Sequence, residues 1–433
     1  MTALAELHDD VFGRMRTRAS TFWRLGFTIC GLLTALLACT VALTIGSGIG
    51  RWGNNIPAAW AFAIINFVFW IGIGHAGTFI SAILYLLEQG SWRNSISRLT
   101  ETMTIFAVIQ AALFPMLHLG RPWFAYWLFP YPDIMGVWPQ VKSALPWDAA
   151  AVSTYFTVSV VFWYVGMIPD LASLRDHGGP IWKRKLFGLM AMGWRGDAES
   201  WRHWKVAYLM LASIATPLVI SVHSVVSSDF AIGLTPGWHS TLQPPYFVGG
   251  AIFSGFAMVI VLAIPTRHAF RIEHVIKDRH LDNCAKLMLI TGWVVAYGYL
   301  TEHFGAYYSG DPADRSLMFH FHPASITFWL MLFCNVAAPQ LLWWRRARRT
   351  EWILFAVSLL VLLGMWLERF VIIVQGLLRD QLPSAWSSYT PTWVDLSILA
   401  GTFGFFGLLF LLFLRFMPFV PVSELKEEAV VEP

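Results

Sequence analysis

Long apolar segments recur along the chain and alternate with shorter polar connections. A helix needs about 20 apolar residues to cross the hydrocarbon core of a bilayer, and ten windows meet that requirement. We therefore predict an all-α polytopic membrane protein with about ten transmembrane helices. The windows run from Trp23 to Ile45, Ala58 to Leu87, Leu99 to Leu119, Trp147 to Ile168, Trp204 to Ser228, Tyr246 to Ile264, Leu281 to Leu300, Phe321 to Trp344, Trp352 to Val374 and Trp393 to Phe416.

The composition supports this prediction. Hydrophobic residues make up 57% of the 433 positions and charged residues only 13%, which is too few for a water-soluble globule of this size. The first window follows Arg14, Arg16 and Arg18, is longer than the apolar region of a signal peptide, and has no small-residue cleavage pattern behind it. We expect it to be a retained helix.

Basic residues are unevenly divided between the two sets of alternating connections. One set, which includes both termini, carries 23 of the 30 Lys and Arg residues, and the other set carries five. Because basic connections stay on the cytoplasmic side, we predict that both termini are cytoplasmic. The net charge of +4 then indicates contact between the inner face and anionic lipid. It does not indicate nucleic-acid binding, since no basic stripe with interleaved aromatic residues lies outside these connections.

The four cysteines lie in or beside apolar windows and form no Cys-x-x-Cys pair: Cys30, Cys39, Cys284 and Cys334. They support neither disulfides nor an iron–sulfur cluster on this chain, so no metal site is predicted. The last residues, PVSELKEEAVVEP, form a short acidic tail that we expect to be disordered.

The segment GIGHAG, residues 72–77, matches the dinucleotide-binding pattern G-x-G-x-x-G. That pattern works only where a strand turns into a helix, whereas here both flanks continue one apolar helix. Its small residues at four-residue spacing instead predict close packing of helices.

His75 within that segment is predicted to lie near the middle of the membrane. It is either a neutral histidine bonded to a neighbouring helix or a proton-relay group, together with Thr78, Ser81 and Glu101. Haem ligation is less well supported, because no second histidine is evident at the same depth.

Ionisable residues gather at the predicted outer ends of the third, fourth and fifth windows. His118 ends the third window with Arg121 one turn on, Asp148 begins the fourth, and Asp229 follows the fifth. His223 lies one or two turns deeper than Asp229. As an alternative, the two aspartates could be interfacial helix caps.

The later windows supply a second outer group: Glu302, His303, His320, His322, Glu368, Arg369 and Asp395. Glu368 and Arg369 are predicted to be buried in the outer half of the membrane, where a structural ion pair is the favoured interpretation.

The first group suits the oxidation of a lipid-soluble diol such as a quinol. A quinol that loses two electrons must also lose two protons, and histidine and partly buried carboxylates are suitable bases. Its ring needs flat apolar surface. The stretch after His118 offers it in Trp123, Phe124, Tyr126 and Trp127, although aromatic residues also belong to any interfacial belt.

Several long segments resemble the NrfD / polysulfide reductase membrane-subunit family, and most closely the core membrane subunit of alternative complex III. They are NFVFWIGIGHAGT (66–78), FPMLHLGRPWFAYWLFPYPD (114–133), STYFTVSVVFWYVGMIPDLASLRD (153–176) and SVHSVVSSDF (221–230). The resemblance implies two four-helix bundles, residues 58–228 with the quinol site and 246–374. Peripheral helices at 23–50 and 393–417 flank them, with a cytoplasmic segment at 1–22 and a cytoplasmic tail at 418–433.

The resemblance also implies a function. A menaquinol is oxidised near the periplasmic face of a bacterial inner membrane, and this chain carries no haem or iron–sulfur cluster. Electrons pass to a periplasmic iron–sulfur partner of the molybdopterin-oxidoreductase type and then to c-type cytochrome subunits, beside a second NrfD-like membrane subunit. The family's quinol-site histidine and two aspartates match His118, Asp148 and Asp229, and its arginine matches Arg121.

The expected function is thus that of a quinol-binding subunit of a quinol:acceptor oxidoreductase, inactive alone. His118 and Asp148 would accept protons, Asp229 would pass them outward, and Arg121 would position the quinol or a base. The expected proton path uses His75, Glu101, His223, Glu302, His322, Glu368, Arg369 and Asp395. The alternatives are a proton or ion transporter, and a structural membrane anchor for periplasmic redox proteins.

Overall fold

The computed structural model describes residues 20–128, 144–176 and 180–425. These residues form helices joined by connections, and no β-strand occurs among them. Ten of the helical segments are long and apolar enough to cross a membrane, and they coincide with the ten predicted windows. The predicted all-α polytopic fold class is confirmed for this part of the chain.

The helix boundaries follow the windows but extend beyond several of them. The α-helices are α1 (Thr21–Ser47), α2 (Phe62–Leu86), α3 (Gly90–His118), α4 (Ala144–Asp176), α5 (Ile181–Met190), α6 (Ala198–Ala231), α7 (Gln243–Phe270), α8 (Asp278–Ser309), α9 (Pro312–Ser316), α10 (His322–Ala324), α11 (Ile326–Leu332), α12 (Arg345–Arg349), α13 (Glu351–Phe370) and α14 (Trp393–Phe416). Short 3₁₀ segments are Ile49–Arg51, Pro122–Leu128, Ala338–Trp343 and Pro383–Ala385, and π-helical segments are Leu317–Phe321, Phe333–Ala337 and Val371–Gln375.

Helix α2 forms the centre of the protein. Of its most apolar 18-residue window, 89% is buried, against 17% for α1, which lies at the periphery. A Cβ atom on Gly77 would lie 2.2 Å from the backbone oxygen of Thr100 on α3, and one on Gly255 of α7 would lie 1.8 Å from Cβ of Ala76. The predicted close packing around the small residues of α2 is confirmed.

The long helices form two groups of four. Helices α2, α3, α4 and α6 pack together as a first bundle, and α7, α8, α11 and α13 pack as a second. Helix α2 also contacts α7, so the bundles share an interface, while α1 and α14 pack on each other outside them. This is the arrangement that the family resemblance implies.

The eighth window is not the continuous helix that its apolar run predicts. Ser325 has an extended backbone before α11, and a π-helical and a 3₁₀ segment follow. Pro323 and Pro339 lie at these irregular points. Proline has no backbone N–H and its ring clashes with the preceding turn, which explains the interruptions.

The predicted disorder of the acidic tail, residues 421–433, is wrong for residues 421–425, which pack on the protein together with the residues just before them. Phe419, Val420 and Val422 are buried, and the backbone N–H and hydroxyl of Ser423 both donate to Asp170 Oδ1, at 3.0 and 2.8 Å. Glu424 forms an ion pair with Arg93. These apolar side chains and polar contacts hold the segment against the first bundle. Residues 426–433, and residues 1–19 of the predicted N-terminal segment, lie outside the described part.

Candidate functional site

A large cavity opens in the first bundle, between α2, α3 and α4. Its volume is about 650 Å³, which is within the range of pockets that enclose small organic ligands. Most of its wall is apolar, with aromatic rings from Trp60, Phe67 and Phe156. The ionisable side chains on the wall are His118, Asp148 and Asp229.

Three helix ends bring these groups together. His118 is the last residue of α3, Asp148 lies in the first turns of α4, and Asp229 lies in the last turn of α6. The carboxyl groups of Asp148 and Asp229 both line this cavity and are close enough to interact. Two carboxylates that lie close together in a mostly apolar cavity repel each other when both are ionised.

Each member of the trio has a buried polar atom that bonds to no other described residue. These atoms are Nδ1 of His118, Oδ1 of Asp148 and Oδ1 of Asp229. An interfacial cap would use such an oxygen on a backbone N–H, so the capping alternative does not account for them. The trio therefore presents one imidazole and two carboxyl groups to a mostly apolar cavity.

His118 packs beside the ring of Trp52, which lies in the connection between α1 and α2. The ring of Trp52 lies 6.3 Å from that of His118, and Trp52 Nε1 donates to Thr44 Oγ1 on α1 at 3.2 Å. This contact packs the Trp52 ring beside the histidine and links it to α1.

The aromatic wall differs from the predicted one. Trp123, Phe124 and Tyr126 are 59%, 38% and 50% exposed, and Arg121 is also exposed, 5.9 Å from the Trp123 ring. Their segment instead turns Ala125 and Leu128 to the cavity. In a 3₁₀ helix residues three apart share a face, so Ala125 and Leu128 point inward together while their neighbours do not. The side chain of Trp127 lies outside the described residues.

Trp60 is one of three aromatic residues of the cavity wall, with Phe67 and Phe156, that the sequence analysis missed. Its ring packs at 6.3 Å from Phe230 and 6.0 Å from Trp238, and Trp238 Nε1 donates to the carbonyl of Ile372 at 2.7 Å. The wall of the cavity is thereby connected to the second bundle. Trp60 precedes Ile64 and Phe67 at helical spacing, and all three line the cavity, which is a signal the sequence did contain.

His75 has a histidine partner, contrary to the expectation that none lies at its depth. The Nδ1 atoms of His75 and His223 are 2.8 Å apart, and neither side chain is exposed. The prediction was wrong because α2 begins at Phe62 and not at Ala58, and α6 ends at Ala231 and not at Ser228, so the two histidines lie at more similar depths than the window ends indicated. Haem ligation is still unsupported, since two rings that bond directly to each other leave no room for iron between them. The Tyr155 ring packs 4.5 Å from His75.

Glu101 belongs to a separate buried network near the opposite end of the first bundle. It accepts from Ser81 Oγ at 2.5 Å and from the Tyr208 hydroxyl at 2.8 Å. Arg93 donates to the same hydroxyl at 2.7 Å. Beside them Arg98 donates to Asp170 at 3.1 Å.

The second bundle contains another polar cluster. Arg369 donates to Glu368, as the predicted ion pair requires, and Glu368 also accepts from the Tyr299 hydroxyl. Asn335 donates to that hydroxyl at 2.7 Å. Glu302 and His322 lie nearby on the wall of a small cavity of about 30 Å³, shared with Glu368.

His303 lines the same small cavity, whereas Asp395 is placed apart from these clusters. Asp395 caps α14, where it accepts from the backbone N–H of Thr392 and of Gly53, both at 2.8 Å. A capping role therefore accounts for its carboxylate. Among the described residues, no group of three or more His, Cys, Asp and Glu is arranged to hold a metal ion.

Comparison with known proteins agrees with this architecture. Residues 52–379 match the family model "Polysulphide reductase, NrfD". A protein of Halobacterium salinarum (strain ATCC 700922 / JCM 11081 / NRC-1), provisionally described as a membrane subunit of a dimethyl sulfoxide reductase, is 25% identical over 425 residues, which cover 91% of each chain. Because the family model spans most of the sequence, the chain belongs to the NrfD / polysulphide reductase family of quinone-interacting membrane subunits of redox complexes.

Proposed function

We propose that the chain oxidises a quinol in the cavity of the first bundle and delivers the electrons to a redox partner. The observation that carries this proposal is the convergence of His118, Asp148 and Asp229 on one largely apolar cavity. An apolar wall suits the ring and chain of a lipid-soluble quinol, and the trio suits the protons that its oxidation releases.

The proton chemistry needs two acceptors near the quinol hydroxyls. We assign this role to His118 and Asp148, each of which presents a buried polar atom unbonded to other described residues. Asp229, which lines the same cavity as Asp148, takes a proton from it and passes it outward. Trp60, Phe67 and Phe156 form the ring-binding wall in place of the exposed aromatic residues after His118.

The partner must hold the electron-accepting cofactors. We propose a periplasmic iron–sulfur subunit of the molybdopterin-oxidoreductase type as the first acceptor and menaquinol as the donor. The wider assembly would include c-type cytochromes and a second NrfD-like subunit in a bacterial inner membrane, as in alternative complex III. The similar Halobacterium salinarum protein is described as part of a dimethyl sulfoxide reductase. This description supports an alternative in which the electrons pass to a reductase partner. The quinol oxidation proposed for this chain would be the same in both cases.

Proton translocation is a second candidate function. It is supported by the buried His75–His223 pair and by the Glu368–Arg369 cluster, because both lie beside the ring of Phe247. Phe247 has the His223 ring 6.0 Å away and the Arg369 guanidinium carbon 5.1 Å away. These groups provide polar positions at the interface of the two bundles.

The test is quinol:acceptor turnover by the purified complex that contains this chain, compared with the same complex carrying Asp148→Asn. We expect turnover to be lost while the subunits still co-purify. Asp380→Asn, at an exposed aspartate, is the matched control. A transporter would instead move ions when this chain is reconstituted alone, and a structural anchor would retain no inhibitor-displaceable quinone.

A further inference from the structure

Helix α5 is a short helix that lies along the surface of α4. The Tyr164 hydroxyl on α4 donates to the carbonyl of Met190 at 2.5 Å, and Arg175 Nη1 donates to the carbonyl of Trp194 at 3.1 Å. Phe187 and Met190 face this contact and are half-buried. The helix is therefore held in a defined orientation on the first bundle.

The opposite side of α5 is apolar and exposed. Ile181, Trp182, Leu186 and Leu189 are 72%, 62%, 45% and 78% exposed. At 3.6 residues per turn they fall within an arc of about 140°, which also contains Lys185. An apolar stripe of this width on a surface helix is typical of burial against another apolar phase.

Basic side chains accompany the stripe. Lys183, Arg184 and Lys185 are exposed, and the Lys183 ammonium lies 5.5 Å from the centre of the Trp182 ring. Residues 180–205 contain six Lys and Arg residues against two acidic ones, Asp197 and Glu199. The surface thus combines apolar side chains with an excess of positive charge.

The depth of α5 matches a membrane boundary. Arg175, which bonds to the connection after α5, lies about 10 Å further along α4 than Ile168, the last residue of the predicted apolar window. Helix α4 continues to Asp176. The contacts of Tyr164 and Arg175 with α5 and its following connection therefore lie on either side of the end of this window, at the level where the lipid headgroups are expected.

We propose that α5 and its basic residues form an interfacial binding surface for acidic phospholipids of the surrounding bilayer. Its apolar side chains enter the boundary between headgroups and acyl chains, and Lys183, Arg184 and Lys185 contact the phosphates. Amphipathic helices with this combination lie in the membrane plane and prefer anionic lipid. The proposal does not depend on the quinol chemistry.

Native mass spectrometry of the full chain in detergent, titrated with phosphatidylglycerol or phosphatidylcholine, tests it. We expect more bound phosphatidylglycerol than phosphatidylcholine. The variant Lys183→Glu/Arg184→Glu/Lys185→Glu should lower phosphatidylglycerol affinity by about tenfold or more. Leu186→Ser/Leu189→Ser should lower the binding of both lipids. Inorganic phosphate at matched ionic strength should not displace the lipid.

The control reverses three exposed arginines on α12, Arg345, Arg346 and Arg349, and should largely retain the binding. An equal loss in this control would assign the preference to total charge and overturn the proposal, as would equal affinity for the two lipids. Size-exclusion elution and circular dichroism check that each variant folds. If the triple reversal does not fold, Lys183→Gln/Lys185→Gln gives the same comparison with a smaller expected loss.

Discussion

The imidazole rings of His75 and His223 meet inside the first bundle with their Nδ1 atoms 2.8 Å apart. They stand on α2 and α6, and both are fully buried. Two neutral imidazoles form this bond only when one ring donates and the other accepts, so the pair fixes complementary tautomers. It joins the central helix of the protein to the helix that carries Asp229.

Replacing His75 by Leu should destabilise the protein by about 1–3 kcal/mol, because Nδ1 of His223 is left buried without its partner. The double variant His75→Leu/His223→Leu should be more stable than the sum of the two single effects predicts. Thermal unfolding of the detergent-solubilised chain measures both. His239→Leu, at a half-exposed histidine, is the control. Strictly additive losses would show that the bond contributes no coupling.

Asp148→Asn and Asp229→Asn should each lower quinol-dependent turnover by about 100-fold or more, the scale of a lost proton-transfer group. Asparagine keeps the size of the side chain, and its amide can still bond to the remaining carboxyl group. We therefore expect assembly and quinone retention to be unchanged. Turnover of the purified complex is compared with that of Asp380→Asn. Normal turnover in either variant would remove that aspartate from the proposed mechanism.

Trp60→Leu should raise the KM for quinol by about two- to tenfold, since a lost aromatic contact is worth about 0.5–1.5 kcal/mol. Trp60 lines the cavity, whereas the ring of Trp123 is 59% exposed. Trp123→Leu should accordingly change KM by less than about twofold. Steady-state assays with the two variants distinguish the observed wall from the one that the sequence indicated. If Trp123→Leu raised the KM more than Trp60→Leu did, the quinol ring would bind to the aromatic residues that the sequence indicated.

The number of spans followed from the sequence because apolar length alone determines whether a helix can cross a bilayer. The grouping of His118, Asp148 and Asp229 at one end also followed. Successive helices cross the membrane in opposite directions, which determines the side on which each helix end lies. The rotation of each helix does not follow from these rules. The inward turn of Ala125 depends on 3₁₀ geometry after His118, and the contact of His223 with His75 depends on how α6 packs against α2.

The side of the membrane on which the cavity opens is tested by labelling single cysteines in whole cells. Gly193→Cys lies in the connection after α5, and Ser387→Cys lies before α14. The excess of Lys and Arg around Gly193 predicts a cytoplasmic position for the first and a periplasmic position for the second. A membrane-impermeant maleimide should therefore label Ser387→Cys only. Labelling of Gly193→Cys alone would place the quinol site on the cytoplasmic side.

The segment after α14 should stabilise the first bundle. Glu424 pairs with Arg93, which also donates to Tyr208 and is only 2% exposed. Glu424→Gln removes the negative charge that compensates the buried positive charge of this guanidinium. Removing one partner of a buried pair costs about 3–5 kcal/mol. Because glutamine still offers a carbonyl oxygen to Arg93, we expect a smaller loss than that.

Glu88→Gln makes the same change at an exposed glutamate and should leave thermal unfolding of the detergent-solubilised protein unchanged. Removing residues 419–433 should destabilise the protein more than Glu424→Gln, since it also exposes the sites of Phe419, Val420 and Val422 and leaves Asp170 without Ser423. If the truncated chain and the full chain unfold at the same temperature, the contacts of this segment contribute nothing to stability, and the tail behaves as its acidic composition alone predicts.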